Sequence, residues 1–161
     1  MTAIGTISGL IGAVAGIFGL IMGYVAYRRS NELKKSDRRV DLHKITNDTR
    51  IAGEDLLELV KLAIRSRRAI NNAIGMFHSG AMKKYESQHE ADSRQATELF
   101  EQVAKRTKEP NYDAKSLRQL EQELVEIHRI KSEIDHLTRR YKESIQQDEN
   151  QRHQLQKLRG P

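Results

Sequence analysis

The amino-acid sequence predicts an all-α protein, in which an N-terminal single transmembrane helix is followed by a long-helix antiparallel hairpin or bundle with coiled-coil character. Three observations indicate this fold class: an uncharged N-terminal segment, apolar residues at heptad spacing over much of the remainder, and no useful window of alternating β-branched residues. The 161 residues provide room for one modest domain plus an anchor.

The first predicted element is residues 1–27, which contain no charged side chain although 31% of the chain is charged. A helix over residues 3–27 would be about 37 Å long, enough to cross about 30 Å of hydrocarbon. A cleaved signal peptide is a weaker alternative, because no basic residue precedes the apolar run and the run is too long. A helix buried in a soluble bundle is the other alternative. We therefore expect a retained anchor.

Six of the ten glycines lie in this segment, at alternating spacings of four and three residues. On a helix they share a face about 80° wide, and a face without side chains lets a second helix approach closely in lipid. The pattern predicts packing between copies of this chain. Packing against a different membrane protein, or an anchor that merely tolerates glycine, are the alternatives. The six helix-packing positions are Gly5, Gly9, Gly12, Gly16, Gly19 and Gly23.

Residues 28–41 are predicted to be a basic juxtamembrane segment that contacts lipid headgroups. Six basic side chains oppose only two acidic ones in the twelve residues after the apolar run. By the positive-inside rule, this excess places the short N-terminus outside and the C-terminal region in the cytoplasm of a single-pass membrane protein. The absence of cysteine agrees with a reducing compartment. The six headgroup positions are Arg28, Arg29, Lys34, Lys35, Arg38 and Arg39.

Residues 42–107 are predicted to form amphipathic helices, because apolar or small residues recur there at heptad spacing. A break or kink is expected at Gly75 or at Ser79-Gly80. Residues 108–112 are the predicted linker, since Pro110 removes a backbone donor and biases the residue before it away from the α conformation.

Residues 113–159 are predicted to form a coiled-coil-like helix with Asp113 as its N-cap. This helix and the one before the linker can pair as an antiparallel hairpin. Polar residues occupy some seam positions (Lys131, Asp148 and Arg152), so the distal third is weak as a coiled coil. The predicted seam residues of the two helical regions are Leu42, Ile45, Leu56, Leu59, Ile70, Leu120, Leu124, Ile127, Ile134 and Tyr141.

The stretch from Lys61 to Lys84 contains six basic residues and no acidic one. We interpret it as a solvated helix face, with lipid contact as the alternative. Nucleic acid is disfavoured as a partner because aromatic residues are few and no nucleic-acid-binding motif is present. The stretch therefore predicts no specific ligand.

The sequence contains no catalytic or metal-binding motif. There is no cysteine nucleophile, no H-E-x-x-H or G-x-S-x-G motif, and no phosphate-binding glycine loop. His128 and His136 are eight residues apart, whereas metal ligands on one helix are expected three or four apart. The pair Tyr85 and His89 is equally unspecific. The sequence thus predicts a protein that is not an enzyme and needs no cofactor or metal.

The two association signals predict a membrane-anchored scaffold or interaction module that forms homo-oligomers, contacts membrane lipid and presents its helices to a protein partner. The first alternative is a pore-forming or membrane-permeabilising effector. A glycine-rich apolar N-terminal helix followed by a basic helical bundle resembles fungal HeLo-type and bacterial Bell-type cell-death domains in architecture, with no motif residue carried over. The second alternative is an accessory subunit of a larger membrane complex.

Overall fold

A computed structural model of the chain describes residues 3–76, 79–108 and 110–159, with side chains from residue 16 onward except at 17, 158 and 159. This part of the chain contains three α-helices and no strand: α1 (Ala3–Ala73), α2 (Gly80–Lys108) and α3 (Leu117–Arg159). The predicted helical bundle is confirmed.

The helices run up, down and up, so that α1 and α3 are parallel and α2 is antiparallel to both. Near the α1–α2 turn, Arg68 of α1 pairs with Glu86 of α2. At the opposite end, Leu42 of α1 packs with Leu120 of α3 in one buried cluster. Short connections enforce this order, because they allow neighbouring helices to pack only in opposite directions.

The core lies where the three helices face one another, and it follows from apolar residues that recur every three or four positions on each helix. A second, smaller cluster packs around Leu42 and the linker residue Tyr112. The larger cluster consists of Leu56, Val60, Ala63, Ala96, Leu99, Val103, Ile130, Ile134, Leu137 and Tyr141.

The two short connections are closed by serine caps. The hydroxyl of Ser79 accepts a hydrogen bond from the backbone amide of Met82, which lies in the first turn of α2. Before α3, the Ser116 backbone amide donates to the Gln119 side-chain oxygen at 2.8 Å. The Gln119 backbone amide in turn donates to the Ser116 hydroxyl at 3.4 Å. This reciprocal arrangement is a capping box. The predicted N-cap at Asp113 is therefore wrong, and Ser116 caps α3. A capping box needs a glutamine or glutamate three residues after the cap, and Ser116 has Gln119 there whereas Asp113 has a serine.

The N-terminal part of α1 extends beyond the bundle. With 71 residues α1 is far longer than the 43-residue α3 that runs parallel to it. None of the described side chains from residue 16 to residue 38 is buried, and burial begins at Leu42. We call residues 18–38 the α1 extension.

The predicted transmembrane helix does not stand. In the part of the chain that the structure describes, no helix has an apolar stretch long enough to cross a bilayer. The uncharged run of the sequence ends at Arg28 and Arg29. The predicted single-pass localisation, with the N-terminus outside and the C-terminal region cytoplasmic, is wrong for the same reason.

Candidate interaction surface

The α1 extension carries a concentration of uncovered apolar side chains. Seven of the eight large ones lie before Arg28 and are between 53% and 77% exposed, and the eighth is Leu33. Single exposed apolar residues are ordinary on protein surfaces, but a contiguous apolar patch marks an interaction site. The extension therefore stands out as a candidate docking surface. Its large apolar residues up to that point are Phe18, Leu20, Ile21, Met22, Tyr24, Val25 and Tyr27.

The glycine face of the same helix is open. A Cβ atom added at Gly16, Gly19 or Gly23 would meet nothing within 4 Å. Within the described residues the chain does not pack these glycines against any part of itself. The other three predicted helix-packing positions, which are Gly5, Gly9 and Gly12, lie outside the residues whose side chains are described.

The predicted headgroup residues divide into two groups. Arg28, Arg29 and Lys34 are exposed, and Lys35 is half-buried. The remaining two bind within the chain, since Arg38 pairs with Asp41 and Arg39 reaches the linker. Arg39 donates to the backbone carbonyl of Asp113 at 2.9 Å and ties α1 to the start of the third helix region. Lipid contact by these residues stays a prediction.

All ten predicted seam residues point into the bundle. Seven of them are buried, which are Leu42, Leu56, Ile70, Leu120, Ile127, Ile134 and Tyr141. The other three, Ile45, Leu59 and Leu124, are half-buried and pack on the edge of the core. The seam is the interior of one chain, so these residues are occupied and cannot also serve a partner.

Two buried carboxylates interrupt the apolar core. Asp92 on α2 accepts hydrogen bonds at 2.9 Å from the Tyr141 hydroxyl and from Gln88, and it also pairs with Arg140. Burial, followed by the hydrogen bond to Asp92, raises the pKa of Tyr141 above its usual range. Beside them, His89 Nε2 lies 2.9 Å from the Val60 carbonyl oxygen. This network joins α2 to both neighbours and has a structural role.

The second carboxylate is Asp148 on α3, which is fully buried. Arg67 of α1 lies 2.8 Å from it, and Arg152 donates to the neighbouring Ser66 hydroxyl at 3.1 Å. Burial raises the pKa of Asp148, while the Arg67 guanidinium and the Ser66 hydroxyl oppose that rise. Two of the polar seam positions that predicted a weak coiled coil, Asp148 and Arg152, are thus matched across the α1–α3 interface, whereas Lys131 pairs with Asp135 on α3 itself.

Two features were not predicted from the sequence. Gly53 lies at a close approach of the three helices, where an added Cβ would be 3.2 Å from Phe100 and 3.6 Å from Ile134. Asp92 was one carboxylate among many, although the apolar spacing of α2 puts it on the buried face together with Ala96 and Leu99. A glycine in the middle of a strong helical pattern was the available signal for the first.

The described residues contain no cluster of three or more histidine or acidic side chains that could hold a metal ion. The groove of about 490 Å³ beside Lys34, Asp37 and Arg38 is lined largely by charged side chains. Comparison with known proteins found no matching family model, curated protein or solved structure. The uncovered surface of α1 is therefore the feature of the described residues that bears on function.

Proposed function

We propose that this protein is a helical scaffold that self-associates through α1, with the three-helix bundle as its rigid body and the α1 extension as its docking element. The observation that supports the proposal is the contrast between these two parts. The bundle buries its own seam, whereas the extension leaves its large apolar side chains in water. Covering such a patch on association is favourable, at about 25 cal/mol per Å² of apolar surface.

A second copy of the chain is the occupant that fits best. Between residues 18 and 27 the extension has no charged side chain, so it can cover apolar surface of a second copy without burying a charge. The open glycine positions also allow the backbone of the second copy to approach closely. A heterologous protein partner would be a different outcome of the same test.

The pore-forming effector and the accessory subunit of a membrane complex stay predictions. None of the helices among the described residues has the length and apolar character to cross a membrane, so the proposed self-association does not depend on one.

The test is the mass of the purified full-length protein by light scattering and sedimentation over a range of concentrations. We expect the wild type to be larger than a monomer. Leu20→Glu places a charge in the apolar patch and should shift the protein to the monomer by raising the dissociation constant at least about tenfold.

The matched control is Val125→Glu, which puts the same charge at a 70% exposed apolar residue on the outer side of α3. This variant should associate as the wild type does. A wild type that stays monomeric at the highest attainable concentration would overturn the proposal.

A further inference from the structure

The outer face of α1 carries a straight row of large apolar side chains. Leu33, Val40, Ile51 and Leu62 are between 44% and 65% exposed. At 100° per residue these four lie within about 40° of one another, on the side of α1 opposite the buried Leu42. We call these four residues the outer row. They face neither α2 nor α3, so nothing in the described chain covers them.

The spacing of the outer row is symmetric about Ile51. Val40 and Leu62 each lie eleven residues from it, in opposite directions. Leu33 and the exposed Ala69 each lie eighteen residues from it. If a second α1 lies antiparallel on the first with the Ile51 residues opposed, Val40 faces Leu62 and Leu33 faces Ala69 at both ends. Such a match between a surface and itself is what an isologous two-fold interface requires.

One charge pair beside the outer row follows the same symmetry. Lys44 and Glu58 each lie seven residues from Ile51, about 20° to either side of it, and both are exposed. The antiparallel register therefore sets Lys44 opposite Glu58 of the second copy. Asp37 and Arg65 each lie fourteen residues from Ile51 but about 40° away on opposite flanks of the row, and Asp55 and Asp48 lie on the flank of Asp37.

A parallel arrangement in register would do the reverse. It would set Lys44 against Lys44, Glu58 against Glu58 and Arg65 against Arg65 of the second copy. Like charges that face each other across an interface are repulsive. The Lys44–Glu58 pair therefore favours the antiparallel direction, and the apolar row specifies the register.

The same register brings the α1 extension into the interface. The second copy's α1 ends at Ala73, which is level with Arg29 when the Ile51 residues are opposed. The extension from Arg29 towards Phe18 then runs past the second copy's α1–α2 turn. Ile74 and Met76, both exposed, lie on that turn. The apolar part of the extension would cover them.

We infer that a second copy of this chain docks antiparallel along the outer face of α1, about a two-fold axis at Ile51. The inference rests on the proposed function, since it specifies the surface and direction of the self-association. It assigns the outer row to the interface and the Lys44–Glu58 pair to the choice of direction.

The test uses single cysteines, because the chain has none of its own. Ile51→Cys places two thiols at the proposed axis, so mild oxidation should give a covalent dimer in high yield. Val40→Cys and Leu62→Cys should each remain uncross-linked alone and form a heterodimer when mixed. Val125→Cys on α3 is the control and should remain monomeric on a denaturing gel.

Charge reversal gives a second measurement of the same register. Lys44→Glu opposes Glu58 of the second copy and should raise the dissociation constant about tenfold. Adding Glu58→Lys to that variant should restore association, because each reversed charge again faces its opposite.

Each outcome bears on one proposal. Association of the wild type without cross-linking of Ile51→Cys would overturn the register and leave the self-associating scaffold intact. Cross-linking of Val40→Cys or Leu62→Cys alone would indicate parallel packing and would also overturn the inference. A monomeric wild type would overturn the proposed function and the inference that rests on it.

Discussion

Asp92 is the residue on which the polar contacts between α2 and α3 converge. It is buried, and it accepts from Tyr141 while pairing with Arg140. A buried donor that loses its acceptor still pays the free energy of its desolvation. Removing the acceptor therefore lowers the free energy of unfolding by more than an average hydrogen bond contributes.

We expect Asp92→Ala to lower the free energy of unfolding by about 2–3 kcal/mol, since it strands the Tyr141 hydroxyl in the core. Urea denaturation measures this change. Asp135→Ala is the matched control, because Asp135 is an exposed α3 carboxylate whose ion-pair partner is Lys131. It should cost about 0.5 kcal/mol or less. Equal losses in the two variants would show that the Asp92 network does not stabilise the bundle.

Asp148 predicts a distinct pH dependence. Because burial raises its pKa in the folded protein, the folded state binds its proton more tightly than the unfolded chain does. The contribution of this group to stability is therefore complete below the unfolded pKa of about 3.9 and declines as pH rises through the folded pKa. Arg67, Arg152 and Ser66 face the carboxylate and limit the decline.

Asp148→Asn cannot titrate and should lack this component. The free energy of unfolding of the wild type, taken relative to that of Asp148→Asn, should fall as pH rises from 4 to 7. Urea denaturation at a series of pH values tests the sign. A difference that grows with pH would mean that Arg67 outweighs burial and that the pKa of Asp148 is lowered.

At the scale of the elements, two glycines of α1 have opposite surroundings. Gly53 lies where α1 meets Phe100 of α2 and Ile134 of α3, whereas Gly23 lies in open space on the extension. The same residue type on one helix thus has a packing role in the bundle and none within the extension. The difference comes entirely from the neighbouring helices.

Gly53→Leu should destabilise the protein by about 2–3 kcal/mol, because the larger side chain overlaps Phe100 and pushes the helices apart. Gly23→Leu should leave the free energy of unfolding unchanged or raise it by up to about 1 kcal/mol, since leucine is the better helix former and meets no neighbour. Thermal and urea unfolding of the two variants give the comparison. A tolerated leucine at position 53 would contradict the close approach of the helices.

At the scale of the whole molecule, the chain is a closed bundle with one helix that outruns it. The heptad seam was predicted as an association surface, and its residues lie in the interior of the bundle. The surfaces left for assembly are the α1 extension and the outer row, which the bundle does not use. In the proposed assembly, self-association is a property of α1 alone, and α2 and α3 pack behind it.

The heptad spacing was sufficient to predict the helices and the seam, because helix periodicity and apolar burial are local properties that a sequence displays directly. The glycine at position 75 was sufficient to predict the break after α1. Heptad spacing was insufficient for Asp92, Asp148 and Gly53, whose roles depend on residues 40 or more positions away that only packing brings close. The predicted N-cap was wrong for a local reason. Aspartate and serine are both favoured at N-caps, and Gln119, three residues after Ser116, completes a capping box with the serine.

The sequence by itself determined that this chain is helical, where its apolar seam runs and which segment lacks charge. Tertiary structure alone decided that the seam is closed within one chain and which apolar residues remain uncovered. The physical reason is that periodicity shows which face of a helix is apolar, whereas only the arrangement of neighbouring helices shows which apolar face is already covered.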